Sequence, residues 1–228
     1  MEQPILVIAA HPDDEVLGCG GMIARSTQEG RQVHIAVLGD GLTSRRATQS
    51  ETNNSDLDGL RRAATEVGAF LGAATVYQFD YPDNRFDGVP LLDIVKTIET
   101  LVKDLRPSEV FTQHGGDLNI DHAITFRATV TATRPMVGSP VRSLHAYEVL
   151  SSSEWAFAKF EPRFEPNTFV DISETLDHKI RAMTMYESEI RSFPHPRSPE
   201  AIEAVARKWG STIGCNAAEA FQQIWKLE

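Results

Sequence analysis

The feature that most constrains this 228-residue chain lies at its start, where six consecutive apolar residues, Ile5–Ala10, stop abruptly at His11-Pro12-Asp13-Asp14-Glu15. An apolar run of that length without alternation fits a strand covered on both faces, as in a parallel sheet between layers of helices. Behind the acidic cluster, Glu15–Glu29 has helical spacing through Val16, Met22, Ile23 and Ala24, with Gly30 as a C-cap. The opening therefore reads as strand, acidic turn, helix. It lacks the positive leader and the long apolar stretch of a signal peptide or membrane span, so a cytoplasmic protein with no membrane span is expected.

The same alternation continues. Gln32–Leu38 reads as a strand, Leu60–Leu71 as a helix and Thr75–Phe79 as a strand. Leu91–Leu105 reads as a helix with apolar positions at Leu92, Val95, Ile98 and Val102, followed by a fourth strand, Glu109–Thr112. Ile120–Thr133 is expected to be helical, Val141–Val149 and Thr168–Ile172 extended, and the tail helical near Glu174–Arg191, Pro199–Trp209 and Ala217–Trp225. Repeated strand–helix units with right-handed crossovers give a Rossmann-like three-layer sandwich, α/β in class. Its sheet is mostly parallel, with helices on both faces and a helical C-terminal region. A single domain over 1–228 is expected, its core about 1–150, with 151–228 packing on or near the site. Two segments interrupt the pattern: the polar loop Gly39–Asp58, longer than a plain connection needs, and the proline-rich Phe193–Pro199, a rigid joint or lid.

Thirty-two acidic against 22 basic residues give a net charge of −10, which provides no footprint for a nucleic-acid backbone. The expected partner is a small molecule, with no nucleic acid; a homo-oligomer is left open. Cys19 and Cys215 stand far apart without a CxxC partner, as reduced thiols do.

In open parallel sheets ligands bind at the carboxyl ends of the strands. There the sequence places His11-Pro12-Asp13-Asp14-Glu15 after the first strand and His114-Gly-Gly-Asp117-Leu-Asn119-Ile-Asp121-His122 after the fourth. Two histidines and a carboxylate with one open position form a catalytic zinc shell. Asp14, three residues after His11, returns to the same side as the helix begins, while Asp13 points elsewhere and stays free to take a proton. Gly18-Cys-Gly-Gly21 superficially suggests a dinucleotide fingerprint. The acidic cluster fills the turn where a pyrophosphate would sit, so these glycines read as close helix–sheet packing.

The string Ala10-His11-Pro12-Asp13-Asp14-Glu15 resembles the signature of the LmbE-like, or PIG-L, family of zinc-dependent N-deacetylases, which act on N-acetylglucosaminyl compounds and related glycoconjugates. The similarity continues in Leu17-Gly-Cys-Gly-Gly21, Gly39-Asp40-Gly41, Pro82-Asp83, Asp121-His122 and Ala218-Glu-Ala-Phe221. It implies that His11, Asp14 and His122 bind zinc and that Asp13 is the general base. Iron(II) or cobalt(II) also suits such a nitrogen and oxygen shell. Many relatives carry a histidine three residues before the last ligand, where this chain has Asn119, and His114 is the candidate to replace it at the oxyanion. Arg45, Arg46, Arg61, Arg62 and Arg85 are candidates for an anionic substrate group, the family's arginine near the second helix pointing to Arg61; Asp83, Asn84 and Asn119 are candidates for polar substrate contacts.

The expected reaction is removal of an N-acyl group, in the first instance acetyl, from an amino-sugar-containing small molecule. An amidase acting on a non-sugar N-acyl metabolite is the alternative. Asp13 argues against a metal-binding module without catalysis, and the missing GxGxxG argues against a nucleotide-binding enzyme.

Overall fold

The structure, a computed structural model, describes residues 3–41 and 54–228. Its elements are, in order, β1 (Ile5–Ala9), α1 (Asp14–Gln28), β2 (Val33–Gly39), α2 (Asn54–Phe70), β3 (Thr75–Tyr81), α3 (Leu91–Leu105), β4 (Glu109–Gln113), α4 (Ile120–Ala132), β5 (Ser143–Tyr147), β6 (Thr168–Asp171), α5 (Leu176–Met185), α6 (Pro199–Ile213) and β7 (Ala218–Lys226). They build a seven-stranded sheet in the order β3-β2-β1-β4-β5-β7-β6. The first five strands are parallel; β7 runs antiparallel to β5 and β6. Among the described residues no helix is long and apolar enough to cross a membrane.

β1 explains its own lack of alternation. Ile5, Val7 and Ala9 enter one core with α1, α2 and α5, while Leu6, Ile8 and Ala10 enter the other with α3 and α4. Both faces are covered, so every side chain is apolar. The strand order turns around between β1 and β4, and ligands bind at that kind of switch point because loops diverge there and leave a crevice. α1 sits close against the sheet: a β-carbon at Gly18 would run into the Tyr147 ring of β5, whose hydroxyl donates to the Ile8 carbonyl at 2.7 Å.

The last segment corrects the sequence reading. Ala217–Trp225 was expected to be a helix, but β7 is a strand inserted between β5 and β6. Its register with β5 shifts between Leu144 and His145, where the paired residues pass from Trp225 to Gln223 and skip Ile224. That bulge places Phe221 in one core and Ile224 and Trp225 in the other. The resulting spacing at 221, 224 and 225 imitates helical periodicity, although an irregular strand produces it. The tail nevertheless holds two helices, α5 and α6. α6 starts as its sequence dictates, with Ser198 accepting from the Ala201 N–H at 3.1 Å and Pro199 in the first turn.

One buried group on β5 makes the fold pH-dependent. His145 stacks on Phe111 with ring centroids 4.9 Å apart, and burial lowers its pKa from 6.5 to about 4. Between these values the unfolded chain binds a proton that the folded chain refuses. This contribution is therefore complete above pH 6.5 and is lost as pH falls toward 4. His145→Phe is expected to flatten the pH dependence of the urea midpoint in that window, by on the order of 3 kcal/mol in unfolding free energy. Identical profiles for the two proteins would show that His145 does not titrate in this way.

Candidate metal centre

After β1 the chain turns through His11-Pro12-Asp13 into α1. Asp13 is the N-cap residue with φ 107°, a left-handed conformation that costs a non-glycine residue about 1–3 kcal/mol unless neighbours impose it. Its N–H donates to Glu15 Oε2 at 3.1 Å, and its carbonyl accepts from Val16 and Leu17. Its carboxylate leaves the helix end and meets Arg197 Nη1 at 2.7 Å. Asp14 turns the other way. Its Oδ2 accepts from the His11 N–H at 2.8 Å and from Gln113 Nε2, at the end of β4, at 2.9 Å. The same oxygen lies 3.5 Å from His11 Nδ1 and 3.3 Å from His122 Nε2 in the first turn of α4.

The donor atoms of His11, Asp14 and His122 lie within 4.8 Å of one another. Ligands about 2.0–2.2 Å from a tetrahedral zinc stand roughly 3.3–3.6 Å apart, so the contacts to Asp14 have the spacing of a metal shell. His122 Nε2 is buried and makes no hydrogen bond of regular geometry, an orphan that a metal ion would satisfy. Asp14 and His122 are buried, whereas the His11 side chain keeps 11% of its surface, so the cluster can be reached from its side.

Each imidazole turns its second nitrogen to a carboxylate. His11 Nε2 lies 3.0 Å from Asp121 Oδ2 and 3.0 Å from Asp83 Oδ1, and Asp121 is held in turn by the N–H groups of Asn84 (2.6 Å) and Phe86 (3.0 Å). His122 Nδ1 lies 3.3 Å from Asp117 Oδ1; Asp117 accepts from the hydroxyls of Ser152 and Ser153 and from the Asn119 N–H. Such partners fix the orientation and tautomer of metal-binding histidines. His11, Asp83 and Asp121 also have metal-ligand spacing, but they share the nitrogen of His11 that faces away from Asp14, so they act as support for its ring.

The electrostatics point the same way. Burial opposes charge on both rings, yet Asp14 and Asp117 raise the His122 pKa to about 9, and hydrogen bonds to Asp121, Asp14 and Asp83 hold His11 well above its ordinary value. Asp14 is buried too, but His122 and His11 hold it well below the usual carboxylate range. A cluster that gathers protons against burial has the field a divalent cation requires. Burial raises the Asp13 pKa well above its ordinary value; Arg197 opposes this, and Asp14, Glu189 and Glu15 add to it. Glu15 is raised by burial to about 7, with the Tyr186 hydroxyl donating to it at 2.6 Å.

The other residues expected at the site have varied positions. Asp83, expected at the substrate, is buried against His11. Asn84 and Arg85 are exposed, Asn84 donating through Nδ2 to Asp83 at 3.0 Å and Arg85 leading into a short 3-10 turn, Phe86–Gly88. Arg61 on α2 pairs with Asp80 on β3, and Arg62 donates to the Asp58 carbonyl at 3.2 Å. Asn119 is the N-cap of α4, its Oδ1 accepting from the Asp121 N–H at 2.9 Å. His114 is buried, and its Nδ1 accepts from the Gly116 N–H at 3.2 Å; burial lowers its pKa, so it is a neutral imidazole and not a second cation. Most of the long loop, with Arg45 and Arg46, lies outside the described residues.

Sequence reasoning placed Asp117 and Asp121 in the cluster after the fourth strand without giving them a role, and it did not name Gln113 or assign Arg197 to the site. Asp121 had a signal in its adjacency to His122, and Gln113 in being polar at the end of a buried strand. Arg197 lies in the proline-rich segment Phe193–Pro199, marked only as a joint or lid, and nothing there pointed to Asp13, 184 residues away.

A parallel sheet with a two-histidine, one-carboxylate cluster at its switch point is the layout of a metal-dependent hydrolase. The chain belongs to the PIG-L family, described as GlcNAc-PI de-N-acetylase, which matches residues 6–133 and so takes in all three cluster residues. YaiS of Escherichia coli strain K12, described as an uncharacterized deacetylase, is 31% identical over 193 residues, covering 81% of this chain and 90% of its own. The diacetylchitobiose deacetylase of Thermococcus kodakarensis is 26% identical over 237 residues, covering 96% and 82%. Among solved structures, GalB of Pseudomonas putida KT2440, a 4-carboxy-2-hydroxymuconate hydratase, superposes with a TM-score of 0.76 at 21% identity, covering 100% of this chain and 98% of its own. The last likeness is one of fold.

If the carboxylates behind the imidazoles hold the cluster in shape, Asp121→Asn is expected to weaken divalent-metal affinity by roughly 10–100-fold. Competition against a chromophoric chelator measures this directly, and unchanged affinity would remove the supporting role.

Proposed function

We propose that this protein removes an N-acyl group, in the first instance acetyl, from an amino-sugar-containing small molecule, with zinc held by His11, Asp14 and His122. The observation that carries the reading is the division of labour between adjacent aspartates: Asp14 joins the two imidazoles, while Asp13 is turned out of the set and fastened to Arg197. A binding site needs only the first; hydrolysis needs both. The family description and the Thermococcus relative support the amino sugar.

Zinc bound there supplies a Lewis acid for the attacking water and for the amide carbonyl oxygen. Asp13 takes the proton from that water as its oxygen adds to the acyl carbon. It then returns the proton to the nitrogen as the C–N bond breaks, releasing the carboxylic acid and the free amine. Arg197 acts as a positioning residue. Its guanidinium binds Glu189 Oε2 at 3.0 Å and Ser151 Oγ at 2.7 Å, and this anchored fork holds the Asp13 carboxylate off the ligand set.

Amine release from N-acetylated sugars, with metal content measured in parallel, tests the assignment. Asp13→Asn is expected to keep its metal while the rate falls by roughly 10²–10⁴-fold. Asp14→Asn and His122→Ala are expected to lose metal, and activity lost to a chelator should return with zinc. Arg197→Met is expected to lower kcat by about 10–100-fold at full metal occupancy, because a misplaced carboxylate cannot meet the water. Near-parental turnover by zinc-loaded Asp13→Asn would overturn the mechanism.

A further inference from the structure

Asp13 heads α1 in a conformation that few residues other than glycine adopt. An N-cap residue ordinarily has an extended backbone, and its side-chain oxygen accepts from an N–H of the first helical turn. Asp13 instead has φ 107° and makes no side-chain cap. The left-handed region is strained for aspartate, so the neighbours must impose it. Glu15 reaches back as the glutamate of a capping box does: its Oε2 accepts from the Asp13 N–H at 3.1 Å. The Asp13 carboxylate is thereby released from the helix end.

Glu15 is fixed in turn from the tail. Tyr186, at the end of α5, is fully buried, and its hydroxyl donates to Glu15 Oε1 at 2.6 Å. The Tyr186 carbonyl accepts from the N–H groups of Glu189 (2.8 Å) and Ile190 (3.0 Å), which closes a turn. Glu189 is buried as well. Ser188 Oγ donates to its Oε1 at 2.8 Å, and its Oε2 accepts from Arg197 Nη1 at 3.0 Å. The same Arg197 nitrogen meets Asp13 Oδ2 at 2.7 Å. The circuit is closed. One stretch of the tail, 186–197, holds Asp13 twice: at its backbone amide through Tyr186 and Glu15, and at its carboxylate through Glu189 and Arg197.

We propose that Tyr186 and Glu189 are positioning residues for the general base, setting the backbone and the carboxylate of Asp13 from two sides. Each acts through another residue, Glu15 in one case and Arg197 in the other. A carboxylate tethered only at its tip still moves when its backbone turns, and one tethered only by its backbone still rotates about χ1; holding both ends leaves one position. Proton abstraction requires this, because a displacement of about 1 Å costs up to about 100-fold in rate. A tyrosine–glutamate pair serving packing alone has no need to end on a strained amide beside the reactive carboxylate. This inference rests on the role of Asp13 given above and extends it to the tail.

Tyr186→Phe keeps the ring and removes only the hydroxyl; Glu189→Gln keeps the shape and removes the charge that Arg197 binds. Each is expected to lower kcat of the zinc-loaded enzyme by about 10-fold, with KM and metal affinity unchanged, on whichever of N-acetylglucosamine and N,N'-diacetylchitobiose is turned over faster. In the Asp13→Asn background the same substitutions are expected to have no further effect, since no base is left to aim. Loss of packing would lower the rate by the same factor in both backgrounds; that outcome, or parental kcat in either variant, overturns the proposal. A second readout is independent of turnover. Amide hydrogen exchange at Asp13, followed by NMR in the metal-free protein, is expected to quicken about 5-fold or more in Tyr186→Phe while the amides of β1 and β4 keep their rates. Unchanged exchange at Asp13, or an equal rise across β1 and β4, overturns the proposal. If neither sugar is turned over, the deacetylase reading is what has failed, and exchange alone decides whether the tail holds Asp13.

Discussion

A single carboxylate oxygen, Asp14 Oδ2, joins the two halves of the molecule at the switch point of the sheet. It meets the His11 N–H and ring from the end of β1, Gln113 from the end of β4, and His122 from the start of α4. A buried carboxylate without such partners would cost several kcal/mol, which makes this convergence a structural requirement before it is a functional one. The strand β1 is committed to two apolar cores and ends in a polar turn only at its carboxyl edge. The charge therefore sits where parallel strands leave a crevice.

The cluster is built to hold positive charge, and its surroundings are graded. Asp83, Asp117 and Asp121 stand behind the imidazoles, and in each the oxygen that faces the ring also accepts from an N–H or hydroxyl donor, so these carboxylates are held in place beside the cluster. Asp13 faces a guanidinium instead. Adjacent aspartates thus have opposite partners, a cationic cluster for Asp14 and a fixed Arg197 for Asp13, and the left-handed backbone at Asp13 is what sends them apart. With an ordinary helical φ at Asp13 the two side chains would diverge by only the normal helical step.

Much of this was legible in the sequence because it is local. β1 and β2 are short apolar runs, β4 is a short segment around Val110-Phe111 between a helix and a turn, and α3 is an amphipathic helix; their bounds match the expected ones to within a residue or two, and Leu91–Leu105 matches at both ends. The grouping of His11, Asp14 and His122 was legible because parallel topology puts all strand ends that precede helices on one edge. Periodicity failed at β7, where a bulge reproduces helical spacing. Residue type did not reveal the local partners of Asp83 and Asn119, which lie against His11 and cap α4; a sequence does not say which way a polar side chain after a strand will turn. Arg197 was invisible because only the packing of the tail on α1 brings it to Asp13.

That packing has its own cause. Glu219 on β7 accepts from the Gly21 and Met22 N–H groups of α1 and from Lys179 of α5 at 2.6 Å, while Lys179 also donates to the Leu17 carbonyl at 2.8 Å. The ion pair is buried and lies within the tail, and its hydrogen bonds to the Gly21 and Met22 N–H groups and to the Leu17 carbonyl fasten α5 and β7 to α1, so pulling the tail away would leave those buried groups of α1 without partners. The segment matched by the family, 6–133, supplies His11, Asp14 and His122, but Arg197 comes from beyond it. Because the same fold superposes on a hydratase, neither the sheet nor its switch point selects the reaction. Selection falls to the side chains brought to that edge. In this chain the core contributes the imidazoles and carboxylates of the cluster, and the C-terminal third contributes the arginine that holds Asp13.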